Sequence, residues 1–209
     1  MTKCKPKRPA LKRLRRQAVE VDFNGGTLTS DGGLLILREV DRRLDLIRRV
    51  DKAIPDPRDP LYTAHPQGEI LTSRIFGIAA GYEDANDHLQ LRHDPAFQVA
   101  AGRTPAENNY DHDDQYPLAS PSTHSRFENR VDSKAIFRVH EVMVETFLDS
   151  FEEPPEEITL DYDATDDAIH GNQEKRYFNG FYDGYCYLPL YVFCGDQLLV
   201  SYLRPYSHI

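Results

Sequence analysis

The feature that most limits the fold is a change of hydrophobic period at residues 152–157, where Glu152-Glu153-Pro154-Pro155-Glu156-Glu157 separates two kinds of pattern. Before it, apolar residues recur at helical spacing. Ser30 opens a helix with Asp31 in its first turn, and Leu37, Val40, Leu44, Ile47 and Ile54 form its stripe. The string Pro55-Asp56-Pro57-Arg58-Asp59-Pro60 ends it, because proline lacks an amide donor and disfavours helix in the residue before it. Further helices are predicted over 66–82, 84–92, 95–101, 121–130 and 133–151, the last with Ile136, His140, Met143, Phe147 and Phe151 in line. Residues 102–118 are a polar loop, long for a compact domain. After residue 157 the runs are of β type, at 158–163, 185–194 and 198–203, with Gly195-Asp196 as a hairpin turn. The expectation is an α+β chain with a basic tail (1–20), a helical domain (21–151) and a β-rich part (152–209).

Composition removes several classes. Of 209 residues, 40% are hydrophobic, enough for a packed core. The longest apolar run, 185–194, is too short to cross a bilayer as a helix, and no apolar segment follows the basic start as in a secretory signal. A cytoplasmic protein without a membrane partner is expected. Three cysteines (Cys4, Cys186, Cys194) are too few for a disulfide scaffold, and no Cys-x-x-Cys or paired histidines mark a zinc site. The net charge of −9 is unevenly distributed. Lys3, Lys5, Lys7, Arg8, Lys12, Arg13, Arg15 and Arg16 lie in the first 16 residues with no acid, so the other 17 bases face all 34 acids. Such an arm can neutralise DNA phosphates, or it can serve only as a solubilising tail.

The chemistry-bearing stretch is Ile158-Thr159-Leu160-Asp161-Tyr162-Asp163-Ala164-Thr165-Asp166-Asp167. On a strand, Leu160, Tyr162 and Ala164 share one face and Asp161 and Asp163 the other. Two carboxylates on one face suit a hard divalent cation, which can assist phosphoryl displacement. The plainer alternative is a strand end with solvated, capping aspartates. His170 and Asp183 are candidates for a supporting shell, and Asp111-His112-Asp113-Asp114 is read as solvated loop. His140 is read as a core histidine. The aromatics Tyr177, Phe178, Phe181, Tyr182, Tyr185, Tyr187 and Tyr191 read first as strand core and second as a base-stacking surface. No phosphate-binding glycine loop and no Gly-x-Ser-x-Gly nucleophile motif is present.

Longer blocks point further. They include Phe23-Asn24-Gly25-Gly26, Asp31-Gly32-Gly33-Leu34-Leu35, Asp56-Pro57-Arg58-Asp59-Pro60 and Ala80-Gly81-Tyr82-Glu83-Asp84-Ala85-Asn86-Asp87. Leu91-Arg92-His93-Asp94-Pro95, Ser125-Arg126-Phe127-Glu128-Asn129, 160–167 with His170-Gly171, and 187–196 continue the series. In this order they resemble the DDE group 1 transposases of bacterial insertion sequences. The resemblance implies an RNase H-like catalytic domain whose first acid is Asp163, with Asp161 as the fallback. It also implies two magnesium ions, a second aspartate and a later glutamate. Its DNA partners would be terminal inverted repeats and target DNA, and a homodimer would follow by analogy.

The match differs from the family in length. Family members look about twice as long, and the region for the later two acids does not follow here; Asp183 and Asp196 are poor stand-ins. The expectation is therefore an incomplete catalytic domain of three strands, inactive alone without the second aspartate and the glutamate. Ser120-Pro121-Ser122-Thr123-His124 also departs from the family's Gln-Pro pair. A non-catalytic DNA-binding fragment, with 121–151 as a candidate helix-turn-helix, and a decayed relic are the alternatives. Three strands without covering elements would leave an apolar face and an edge exposed.

Overall fold

The computed structural model describes residues 28–103, 117–174 and 176–203. Seven α-helices and six strands lie among them. The helices are α1 (Leu34–Leu44), α2 (Leu46–Ala53), α3 (Gln67–Ala79), α4 (His88–Leu91), α5 (Pro95–Ala100), α6 (Pro121–Arg130) and α7 (Ser133–Leu148). The strands are β1 (Asp161–Ala164), β2 (Asp167–Ala168), β3 (Tyr177–Asn179), β4 (Gly184–Tyr187), β5 (Pro189–Cys194) and β6 (Gln197–Leu203). Helices before strands give the α+β class. Among the described residues, no helix is long and apolar enough to cross a membrane.

Local chemistry sets most helix ends. Asp94 accepts from the amides of Ala96 (2.8 Å) and Phe97 (3.1 Å), with Pro95 at the first helical position of α5. Asp132 caps α7 by accepting from Ala135 N at 2.7 Å. The helix predicted from Ser30 to Ile54 is instead two. Asp45 sits in the left-handed region (φ 57°), a conformation that aspartate tolerates better than most side chains. The Asp41 carboxylate takes the freed amide of Ile47 at 2.9 Å. Past this redirection α2 places Ile47 and Val50 in the core, while Val40 and Leu44 of the expected stripe stay exposed.

The core belongs to the helices. Ile70, Phe97 and Leu118 are fully buried at its centre, joined by Leu34, Ile47, Phe76, Leu91, Phe127, Ala135 and Val142. Among the described residues of the β part only Cys186, Val192 and Leu199 are buried. Helix α7 bridges the halves: Ala135 and Val142 join the helical core, while α7 also packs on β6. His140 is therefore not a core histidine. It is half-buried, and its Nε2 lies 2.9 Å from the carbonyl oxygen of Ser201 on β6.

Two sheets replace the expected single set of three strands. One has the order β1-β5-β6, the other β2-β4-β3, and every pairing is antiparallel. The run 185–194 was expected as one strand. It breaks at Leu188, so that β4 serves one sheet and β5 the other. The Gly195-Asp196 turn is present, with Cys194 paired to Gln197 and Gly195 at φ 57°. The expected strand core of aromatics is corrected in part: Phe178, Phe181, Tyr182 and Tyr185 are exposed. Their β2-β4-β3 sheet has only Cys186 buried, so the rings mostly meet each other, as Phe178 and Tyr185 do edge-on at 5.5 Å.

The buried histidines are His88 and His124, both fully enclosed, their rings stacked at 4.0 Å. A side chain at Gly77 would meet the His88 ring at 3.2 Å, so glycine there permits the approach of α3. Both ring nitrogens of His88 and Nδ1 of His124 have no hydrogen-bond partner. Burial, reinforced by Arg74, pushes His88 below its ordinary value. Burial, then the neighbouring His88 and Arg74, pushes His124 down to about 3. Both histidines are thus neutral in the folded state and bind protons more readily when unfolded. Their contribution is present above the ordinary value of 6.5 and is lost as pH falls below it. Urea unfolding should lose about 1.4 kcal/mol per pH unit through His124 between about pH 6 and pH 5, with His88 acting in the same direction. His124→Phe should flatten that slope; an unchanged slope would contradict the assignment.

Candidate active site on an edge strand

Strand β1 is an edge strand whose one partner among the described residues is β5. Asp161 pairs with Phe193 and Asp163 with Tyr191, while Tyr162 pairs with the buried Val192. Directly paired residues point to the same face, so the two aspartates share the face of Tyr191 and Phe193. Tyr162 and Ala164 take the opposite face with Val192, as alternation predicted. The sequence dictates this division, since a one-residue slip would put both carboxylates against Val192.

Both aspartates are exposed. Asp163 is oriented by Thr165, whose hydroxyl donates to Oδ2 at 3.1 Å. That bond joins the first and third residues of the Asp163-Ala164-Thr165 sequence. Two carboxylates with open solvent beside them match the way magnesium is usually held, by one or two carboxylates with waters and substrate phosphates completing the shell. The pair fits part of such a site. Among the described residues, no group of three His, Cys, Asp or Glu side chains converges to hold a metal. His170 and Asp183, considered as a supporting shell, therefore form no three-donor cluster with the pair. Asp183 lies before β4 with φ 50°, and Asp196 lies in the β5–β6 turn.

The basic residues Lys3, Lys5, Lys7, Arg8, Lys12, Arg13, Arg15 and Arg16, and the cluster 111–114, lie outside the described residues. Cys186 and Cys194 are free thiols.

The profile of one family, transposase DDE domain group 1, matches residues 11–208. The chain belongs to that family. Comparisons with curated proteins and with solved structures gave no match. Family membership carries a transposase-family function, with DNA as the substrate and a divalent metal as the general requirement of the chemistry. The matched span includes both the helical half and the strand bearing Asp161 and Asp163.

One charged centre was not read from the sequence. Asp56, seen only as part of a helix-ending string, joins two arginines. It accepts from Arg58 Nε (2.8 Å) and Nη2 (2.6 Å), and lies 3.1 Å from Arg130 Nη1 on α6. The Arg58 hydrogen bonds, helped by the Arg130 charge, hold its carboxyl down at about 2. The spacing of Asp56 and Arg58 was visible, but the third partner is 74 residues from Asp56. Asp56→Ala leaves two guanidinium groups without this carboxylate. It should lower stability by about 1 kcal/mol, since the network is partly solvent-screened. An unchanged urea midpoint would show that the network is only a surface arrangement.

Proposed function

We propose that β1 begins the catalytic domain of an insertion-sequence transposase, with Asp163 as the first acid and Asp161 beside it. The DNA engaged would be the element's terminal inverted repeats and its target. The observation that carries this reading is the placement of Asp163 on a strand face beside Asp161, held by Thr165, inside a matched transposase span. An acid on the first of three antiparallel strands agrees with an RNase H-like sheet.

In this reading Asp163 and Asp161 hold the family's magnesium ion. When bound, that ion supplies charge stabilisation for phosphodiester cleavage and strand transfer. Thr165 keeps the Asp163 carboxylate aimed outward, and the pairing of β1 with β5 fixes the spacing of the two acids. The helical half, 28–148 among the described residues, serves as the DNA-binding body. In this reading the pair supplies only part of the family's acid set, so this chain by itself does not cleave. A binding role without cleavage is the second reading.

Calorimetric titration of the full chain with manganese ion checks the assignment. Asp163→Asn should abolish binding, Asp161→Asn should weaken it, and Thr165→Val should weaken it several-fold. Binding that survives Asp163→Asn unchanged would overturn the acid's role. Magnesium-dependent nicking of plasmid DNA by the unaltered chain would overturn the claim that it does not cleave alone.

A further inference from the structure

A cleft of about 590 Å³ opens on the helical half, between α6 and the segment 58–65. Helix α6 turns Thr123, Arg126, Phe127 and Arg130 toward it, the spacing of one helical face. Arg58, Tyr62 and His65 form the opposite wall.

The cleft combines fixed positive charge with an exposed ring. Arg58 and Arg130 share the single carboxylate of Asp56, and Arg58 is further held by the His65 carbonyl at 3.0 Å. The Nε of Arg130 is buried without a hydrogen-bond partner. Arg126 is exposed; its guanidinium lies 3.2 Å from the Thr123 hydroxyl and forms no ion pair within the described residues. Tyr62 is 89% exposed and sits on a short 3-10 turn, Pro60–Tyr62. Asp59 fixes that turn by accepting from Leu61 N at 2.9 Å. An aromatic side chain has been placed on a capped, proline-started turn and left in water beside three arginines.

Arginines along a groove neutralise phosphates, and an exposed ring beside them is a platform for a base. The protein is acidic overall, with 34 acids against 25 bases, so a polyanion needs such a local concentration of arginine to approach the body. An acidic peptide would use the arginines but leave Tyr62 without a planar partner. We infer that this cleft binds one unpaired strand of DNA, a phosphate on Arg126 and Arg130 and a base against Tyr62. The inference rests on the transposase reading for the identity of the polyanion, and it assigns a place on the chain that neither the family match nor the edge-strand carboxylates supply.

The test is fluorescence anisotropy of a labelled single-stranded oligonucleotide of about 20 nucleotides with the full chain, without metal, between about 50 and 200 mM salt. Arg126→Ala should reduce the slope of log affinity against log salt by about 0.7. Tyr62→Ala should weaken binding about tenfold, and Tyr62→Phe should retain it to within about twofold. Arg43→Ala, an exposed arginine of α1 away from the cleft lining, controls for general loss of charge and should keep the wild-type slope. Asp163→Asn should bind like wild type, which separates this test from that of the acids. Wild-type binding that is unchanged by both Arg126→Ala and Tyr62→Ala overturns the cleft and leaves the transposase reading standing. A chain that binds no single-stranded oligonucleotide overturns the cleft assignment and leaves the transposase reading, which concerns duplex element ends, standing. Arg126-dependent binding of a polyglutamate peptide in preference to the oligonucleotide assigns the cleft to a different ligand and overturns the inference.

Discussion

The close packing around Phe97 is the contact on which the rest of the molecule depends. Its ring meets Tyr82 edge-on at 6.1 Å and His88 at 6.5 Å, and His88 stacks on His124. Through these rings α4, α5 and α6 are drawn onto α3, and Ile70 and Leu118 close the centre. Fully burying an aliphatic or aromatic side chain of this size stabilises by about 1.5–3 kcal/mol, so the helical cluster supplies most of the hydrophobic free energy available. Two buried histidine rings inside it, with His88 Nδ1 and Nε2 and His124 Nδ1 lacking hydrogen-bond partners, oppose part of that gain. Their cost rises as pH falls and proton binding favours the unfolded chain.

The candidate acids lie far from that centre in the order of contacts. The helical core holds α7, α7 holds β6, β6 pairs with β5, and β5 pairs with β1. Among its described residues the β part buries only Cys186, Val192 and Leu199, while Ile158, Leu160 and Tyr162 around β1 are exposed. Backbone pairing, rather than burial, fixes the register that brings Asp161 and Asp163 to one face. The Arg58–Asp56–Arg130 network is different: it is built directly on the helical body, and the cleft beside it inherits that body's rigidity.

What could be read from the sequence follows from how local its causes are. The starts of α5, α6 and α7 were legible because prolines and capping residues act within a few positions, whereas α7 ends at Leu148, three residues before the expected end. The faces of β1 were legible because alternation is a property of the strand itself. Asp45 was missed because a left-handed aspartate leaves an apolar stripe looking continuous. The second sheet was missed because a run of β-formers does not show that Leu188 divides it between two sheets. His140 was taken for the core histidine because its helix has an apolar stripe, yet that helix serves two neighbours. His88 and His124 occupy polar-looking segments, and only the tertiary fold encloses them. The Asp56 network and the Tyr62 cleft join residues from opposite ends of the helical half, which no short spacing can reveal.

The helical half is held by its own core, and β1 is the least secured strand of its sheet. Hydrogen–deuterium exchange on the full chain, resolved by peptide, tests this most directly. The slowest exchange is expected in α3 and α7, intermediate exchange in β5 and β6, and the fastest strand exchange in β1. Strong and uniform protection from 161 to 203, equal to that of α3, would contradict it.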